Sequence, residues 1–328
     1  MHTEYINKKE KDNFLDIVAY LNNIYDSSGL PQLLEILPNW LALDERQLIF
    51  VLATPIFIGV FLWEYIKIRH DPKLVDNGEA VRNFMLGAGY QITELLFAGL
   101  ISFPVFAVAW HYRLIEHIPL NIGTGLLLFF LVDLCYYFFH RASHRVRWFW
   151  AAHVTHHSSE RMNFSTAMRQ NATNIFNGGW LFLVPLALIG FNPVWIGVCF
   201  ALSLVYQFFI HTTLVTKLHP AIEFIFNTPS HHRVHHGKNR GYIDTNYGGV
   251  LIIFDRLFGT FRPETETPEF GITEPIDTNN IFMLWCHEYL ALGRDIGKKG
   301  SLWQRLSHLW RPPEWQRPNH KGKYHNQE

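Results

Sequence analysis

The sequence predicts an all-α fold, an integral membrane helix bundle of about four to five spans with a histidine-rich cap on its cytoplasmic face. Three observations predict it. Long apolar runs fill much of the first two thirds of the chain. Charged residues make up 17% of the 328 positions while aromatics reach 16%, a balance unlike that of a soluble domain. Histidines then gather at helical spacing directly after the apolar runs.

The elements follow in chain order. The start, "MHTEYINKKEKDNF", lacks the apolar core of a secretory signal, so residues 1–46 read as a polar, interfacial part of the mature chain. A helix needs about 20 apolar residues to cross a bilayer core of about 30 Å. "LIFVLATPIFIGVFLWEYI" from Leu48, "ITELLFAGLISFPVFAVAW" from Ile92 and "LNIGTGLLLFFLVDLCYYFF" from Leu120 to Phe139 each meet that length. The longer run from Ile175 to Ile210 holds Asn192-Pro193 near its middle and reads as a hairpin of two spans. Lys67, Arg69, Lys73 and Arg82 follow the first span and Arg141, Arg145 and Arg147 follow the third, whereas the second is followed only by Arg113. Basic residues collect on the cytoplasmic side, which puts every histidine cluster on that face. The chain divides on this reading into 1–46, a membrane domain over 47–295 and a basic, Trp- and Pro-containing tail over 296–328. Trp148, Trp150, Trp303, Trp310 and Trp315 suit the headgroup layer, and "RPPEWQRPNHKGKYHNQE" reads as irregular and exposed.

A net charge of zero predicts no nucleic-acid partner. Cys135, Cys199 and Cys286 are too far apart for a disulfide framework or a zinc ribbon.

The chemistry lies in the histidines. His140 and His144 share a helix face at the end of the third span. His153, His156 and His157 stand at i, i+3, i+4, and His232, His235 and His236 repeat that spacing. Neutral imidazole is a ligand for Fe, Zn, Cu and Ni. Eight rings exceed the needs of one ion and suit two, with four or five ligands each. His211, in "YQFFIHT", is a candidate ninth. A basic or pH-sensing surface is the alternative. Structural zinc favours thiolates, so an all-nitrogen set points to iron that meets oxygen. Around these ligands, Asp133 inside the third span is expected to accept a hydrogen bond from a ligand imidazole. Glu160 is an orienting carboxylate or proton relay, Gln207 binds water or a ligand, and His231 lies behind His232. Ser230 and Gly237 read as the caps of a short helix over the third cluster, and Gly248-Gly249 as a place of close backbone approach. Arg141, Arg169, Arg233 and Arg240 could bind a phosphate headgroup or an electron donor.

The stretches "HRASH", "HVTHHSSERMNFSTAMRQ", "YQFFIHT", "NTPSHHRVHHGKNRGYIDTNYGGVLIIFDRLFGTF" and "FGITEPI" resemble the fatty acid hydroxylase (sterol desaturase) superfamily, and most of all its alkylglycerol monooxygenase branch. They span His140 to Ile276. The resemblance implies a compact membrane bundle whose capping site holds two Fe ions, ligated by His140, His144, His153, His156, His157, His211, His232, His235 and His236. It implies a membrane-bound monooxygenase that uses O2 on a C–H bond of a lipid. The electron donor would be tetrahydrobiopterin, as in that branch, or a donor protein. Desaturation or hydroxylation of sterols or acyl chains is the alternative within the superfamily. A zinc-binding transporter or sensor is the alternative outside it. Other members place a further histidine near position 207, where this chain has Gln207.

Overall fold

The computed structural model describes residues 45–317 apart from 117, with side chains from 54 onward. The expected 1–46 segment thus lies almost wholly outside the described residues, as does the tail beyond 317. The chain divides into two units, Met1–Gly59 and Val60–Glu328. The first contributes the opening turns of α1 (Glu45–Ile68), and everything below concerns the second.

The described residues form helices joined by loops, with two isolated β-bridges and no strand. Among the described residues two helices are long and apolar enough to cross a bilayer, α2 (Asn77–His111) and α3 (Ile122–Arg145). A soluble core helix would hide its apolar face. Here only 6% of the most apolar stretch of α2 is buried, and 28% of that of α3. Leu95 is 82% exposed and Ile122 84%, which is costly in water and free of cost against lipid tails. At about 1.5 Å per residue, the 35-residue α2 is about 52 Å long and overshoots a bilayer core. The excess is its first turns, started by an Asp76 side-chain cap on the Glu79 amide, where Glu79 and Asn83 are buried. α3 starts in a capping box between Asn121 and Thr124.

The expected hairpin over 175–210 takes another form. A short helix α6 (Asn174–Asn177) and a 3-10 turn (Gly179–Leu183) lead into α7 (Val184–Ile189), and Pro193 opens α8 (Pro193–Phe209). The break falls at the expected Asn192-Pro193, where the Asn192 side chain caps the Val194 amide and Gly190 takes φ +127°. Neither arm reaches the span length: Gly178 at φ +81° ends α6 early, and α8 has 17 residues. Leu128 and Val132 of α3 pack with Leu186 and Ala187 of α7, Ile196 of α8 and Ala109 of α2 into the main apolar core.

The polar end carries α4 (Arg147–His157), α5 (Phe164–Ala167), α9 (Pro220–Ile225), α10 (Pro229–His235), α11 (Ile253–Phe258), α12 (Ile281–Gly297) and α13 (Leu302–Leu306). Arg147, at the start of α4, is buried against Glu288 at 2.8 Å and Asp295 at 2.8 Å, both on α12. A buried pair of this kind is costly to break, so it fixes α4 to α12. The segment expected as an exposed tail is docked as far as residue 317. Arg317 is buried, donating to His308 Nε2 at 3.0 Å and to the Asp295 carbonyl.

Candidate metal centre

Four helices bring their histidines together at their C-terminal ends. His140 and His144 lie in the last turns of α3, and His153, His156 and His157 at the end of α4. His211 follows α8, and His232, His235 and His236 close α10. α10 is capped by Thr228 rather than Ser230, because Pro229 occupies the first helical position, and it stops at His236, one residue before Gly237.

The nine rings form two groups. His140, His144, His153, His157 and His235 make one, and His156, His211, His232 and His236 the other, with ligand atoms in each group within 4.8 Å of one another. Each HxxHH set is dealt across both. Its i, i+4 pair enters one group and its i+3 histidine the other: His153 and His157 against His156, His232 and His236 against His235. The groups touch where His157 stacks on His236, centroids 4.4 Å apart.

The outer nitrogens are held by oxygens. His140 Nδ1 donates to the Tyr247 carbonyl at 2.8 Å, His156 Nδ1 to that of Arg169 at 3.2 Å, His211 Nδ1 to that of Gln207 at 2.7 Å and His235 Nδ1 to that of Thr245 at 2.9 Å. A carbonyl only accepts, so each of these neutral rings carries its proton on Nδ1 and turns an Nε2 lone pair inward. His144 Nδ1 instead faces the Asp244 carboxylate at 3.5 Å. Burial holds the imidazoles of His153, His156, His157, His232, His235 and His236 well below their ordinary pKa, and that of His211 at about 4. They are neutral, as ligands must be.

A bound cation fits this arrangement. His156 Nε2 and His211 Nε2 lie 3.2 Å apart, and both rings have spent their proton on a carbonyl. Two lone pairs face each other with no hydrogen between them. His144 Nε2 and His235 Nε2 are buried with no partner among the described residues. Bonds of about 2.1 Å place neighbouring ligand atoms about 3.0 Å apart at a right angle and about 3.4 Å apart in a tetrahedron. The inner Nε2 pairs His140–His153, His153–His157, His156–His211, His211–His232 and His232–His236 are separated by 3.1, 3.0, 3.2, 2.9 and 3.2 Å.

The other expected residues sit as follows. Asp133 is buried, but its carboxylate accepts the Val250 amide at 2.9 Å and the Leu251 amide at 2.8 Å rather than an imidazole. The reason is Gly249: a Cβ there would stand 2.6 Å from Asp133 Oδ1, so only glycine lets the loop come close enough to fill the carboxylate. That loop supplies the Tyr247 carbonyl, so Asp133 acts on His140 at one remove. Glu160 is exposed, with no bond to a histidine; the buried carboxylate beside it is Glu79, which accepts from Ser159 and Arg161. Gln207 is buried and gives its backbone carbonyl to His211 and its side chain to Ser203 at 3.1 Å. His231 pairs with Glu223 at 2.9 Å, outside both groups. Of the four arginines, Arg169 is buried against Asn83 and Ser158, and Arg233 forks onto Glu264, so neither is free for a phosphate. Arg141 donates to Tyr137 and Arg240 is exposed. Trp150 packs 5.4 Å from His144, at the site. The three cysteines are free thiols.

Sequence reasoning missed the carbonyls of Tyr247, Thr245 and Arg169, which leave no mark in side-chain identity. Asp244 had a signal, in the polar "DTN" ahead of the glycine pair. Asp244 and Asn246 take φ +61° and +56° there, a conformation that these two residue types tolerate.

Apolar spans whose ends gather nine inward-facing imidazoles define a histidine-rich helical membrane protein. The fatty acid hydroxylase family model matches residues 125–260, and the chain belongs to that family. It is 36% identical to alkylglycerol monooxygenase of Danio rerio over 304 residues, 90% of this chain and 67% of the relative. To the Homo sapiens alkylglycerol monooxygenase it is 38% identical over 268 residues, 80% and 59% of the two chains. It is 34% identical to ornithine lipid hydroxylase OlsE of Rhizobium tropici over half of each chain. The chain thus spans about three fifths to two thirds of the alkylglycerol monooxygenases named. No solved structure matches it.

Proposed function

We propose that this chain is a membrane-bound, O2-dependent lipid monooxygenase that hydroxylates a C–H bond of a glyceryl ether or related alkyl or acyl lipid. The observation that carries the reading is the convergence of nine imidazoles, eight of them buried and that of His153 half-buried, into groups of five and four, with lone pairs facing inward. Family membership and the similarity to alkylglycerol monooxygenases support it. In this reading the nine histidines hold two iron ions, which supply the redox chemistry that activates O2.

The chain's own residues do the rest. The exposed apolar faces of α2 and α3 set the protein in the bilayer, where the lipid chain already lies. Tyr136, one turn before His140 and buried beside it at 5.2 Å between centroids, keeps water from the membrane side of the first group. The carbonyls on Nδ1 hold the rings in one tautomer throughout. One oxygen atom enters the product and the other leaves as water, with two electrons and two protons from tetrahydrobiopterin or a donor protein. The histidine end faces the cytoplasm, residues 47–295 form the catalytic unit, and Asp133 and Gln207 position ligands through the backbone. Four or five spans complete the topology, with the two arms on either side of Asn192-Pro193 entering the bilayer as a short hairpin.

The similarity to an ornithine lipid hydroxylase favours a second reading, in which the substrate is an aminolipid acyl chain. Product mass separates hydroxylation, a gain of one oxygen, from desaturation, a loss of two hydrogens. Purified protein is expected to carry about two iron ions, by the ligand count, and to lose turnover when they are removed. Turnover that persists without metal rejects the proposal. Zinc content with no iron-dependent turnover supports instead a non-redox transporter or sensor.

A further inference from the structure

Eight of the nine histidines are buried and His153 is half-buried, yet one cavity reaches four of them. It has a volume of about 260 Å³ and is walled by His144, His157, His235 and His236. Its lining comes from the last turn of α3, from α4 and α10 and from the loops beyond them, with none from α2 or α8, so it opens at the polar end. Two of these four rings, His144 and His235, are the ones in the first group whose Nε2 atoms lie buried without a partner. The cavity therefore meets the metal centre where its donors are least satisfied.

We propose that this cavity is the port through which divalent metal ions reach and leave the first histidine group. The proposal rests on the metal-centre reading given above. A dication with six first-shell waters, at about 30 Å³ each, fits the volume. It must exchange those waters stepwise for protein ligands, and the wall offers them in order. Asp244, with 26% of its side chain exposed, stands between solvent and His144 at 3.5 Å. Among the described residues it is the one carboxylate that pairs with a ligand ring and is also part-exposed. Its charge is shared with Arg145, which also pairs with Glu314 on the rim at 3.1 Å. Lys238 is the rim cation left over, with no side-chain partner among the described residues, and Thr273 is an exposed rim residue that holds nothing. Size at Thr273 and charge at Lys238 therefore control passage without touching a ligand.

The test mixes the metal-free chain in detergent micelles with Co²⁺ alone and follows uptake through the visible absorbance of the histidine-bound ion. Thr273→Trp narrows the rim and is expected to slow uptake about tenfold, while Lys238→Glu speeds it about fivefold at low salt. The Lys238→Glu effect should vanish near 1 M salt, where the screening length is about 3 Å. Both variants should end with the same amount of bound Co²⁺ as the unaltered chain. Should Thr273→Trp fail to fold, the salt-dependent acceleration by Lys238→Glu decides alone. Uptake of two ions at rates within about twofold of the unaltered chain in the variants that fold, at every ionic strength, overturns the port and leaves the metal centre standing. Failure of the unaltered chain to take up any ion overturns both.

Discussion

The ends of α3 and α8 carry the same device and use it differently. On α3, His140 and His144 stand four residues apart and both enter the first group. On α8 the equivalent pair is Gln207 and His211, and only His211 enters the second. The Gln207 amide turns to Ser203 instead. Since the two HxxHH sets contribute three rings to each group, this one exchange of amide for imidazole accounts for five donors against four. A group with five donors can lose one and still hold an ion; a group with four has no such reserve.

The largest effect expected from that difference is on metal retention. His211→Ala should release the ion of the second group and lower turnover at least about 10³-fold, whereas His144→Ala should keep close to two ions and lose about 10- to 100-fold. Elemental analysis beside turnover reads both numbers. Equal metal loss in the two variants breaks the comparison.

The second effect is on pH. Burial holds His211 at about 4 in the folded chain, against about 6.5 when unfolded. The unfolded state then binds more protons between those values, so stability of the metal-free protein is complete above about 6.5 and falls as pH drops towards 4. The fall is about 3 kcal/mol from this ring. Denaturation midpoints across that range should slope accordingly, and less steeply in His211→Gln. A flat profile for the metal-free chain contradicts the burial of the second group.

The smallest effects concern the carboxylates. Asp133→Asn keeps an acceptor for one of the two backbone N–H groups, sets an amide N–H against the other, and should weaken metal binding by the first group about tenfold, through the Tyr247 carbonyl on His140. Glu160→Gln should change metal titration and turnover by less than about twofold. A larger loss from Glu160→Gln than from Asp133→Asn reverses the roles assigned to them.

The spacing of the histidines showed which residues would meet but not how they would be shared. An i, i+3, i+4 set looks like one face of one helix, and its division between two groups arises only when a second helix crosses it. Asn192-Pro193 marked a break because proline lacks a donor and favours a helix start. The lengths of α7 and α8 were hidden because apolar runs look alike in spans and in short buried arms. Asp133 read as functional because a carboxylate inside an apolar run needs partners. That these are amides of a glycine-tight loop, 117 residues away in the chain for Val250, is a property of the tertiary fold. Trp150 and Trp303 read alike because tryptophan is enriched at membrane interfaces, and only the fold separates them, Trp150 packing on His144 while Trp303 is 70% exposed.

The directions of α3, α4, α8 and α10 have a consequence of their own. Every one of them points its carbonyl end at the histidines. A helix carries roughly half an elementary negative charge at that end, fading within a turn. The backbone thus builds an electrostatic well for cations out of neutral parts. Uncharged imidazoles can hold positive ions there without acidic residues in the first coordination sphere, and part of the affinity for cations is written into the orientation of the chain.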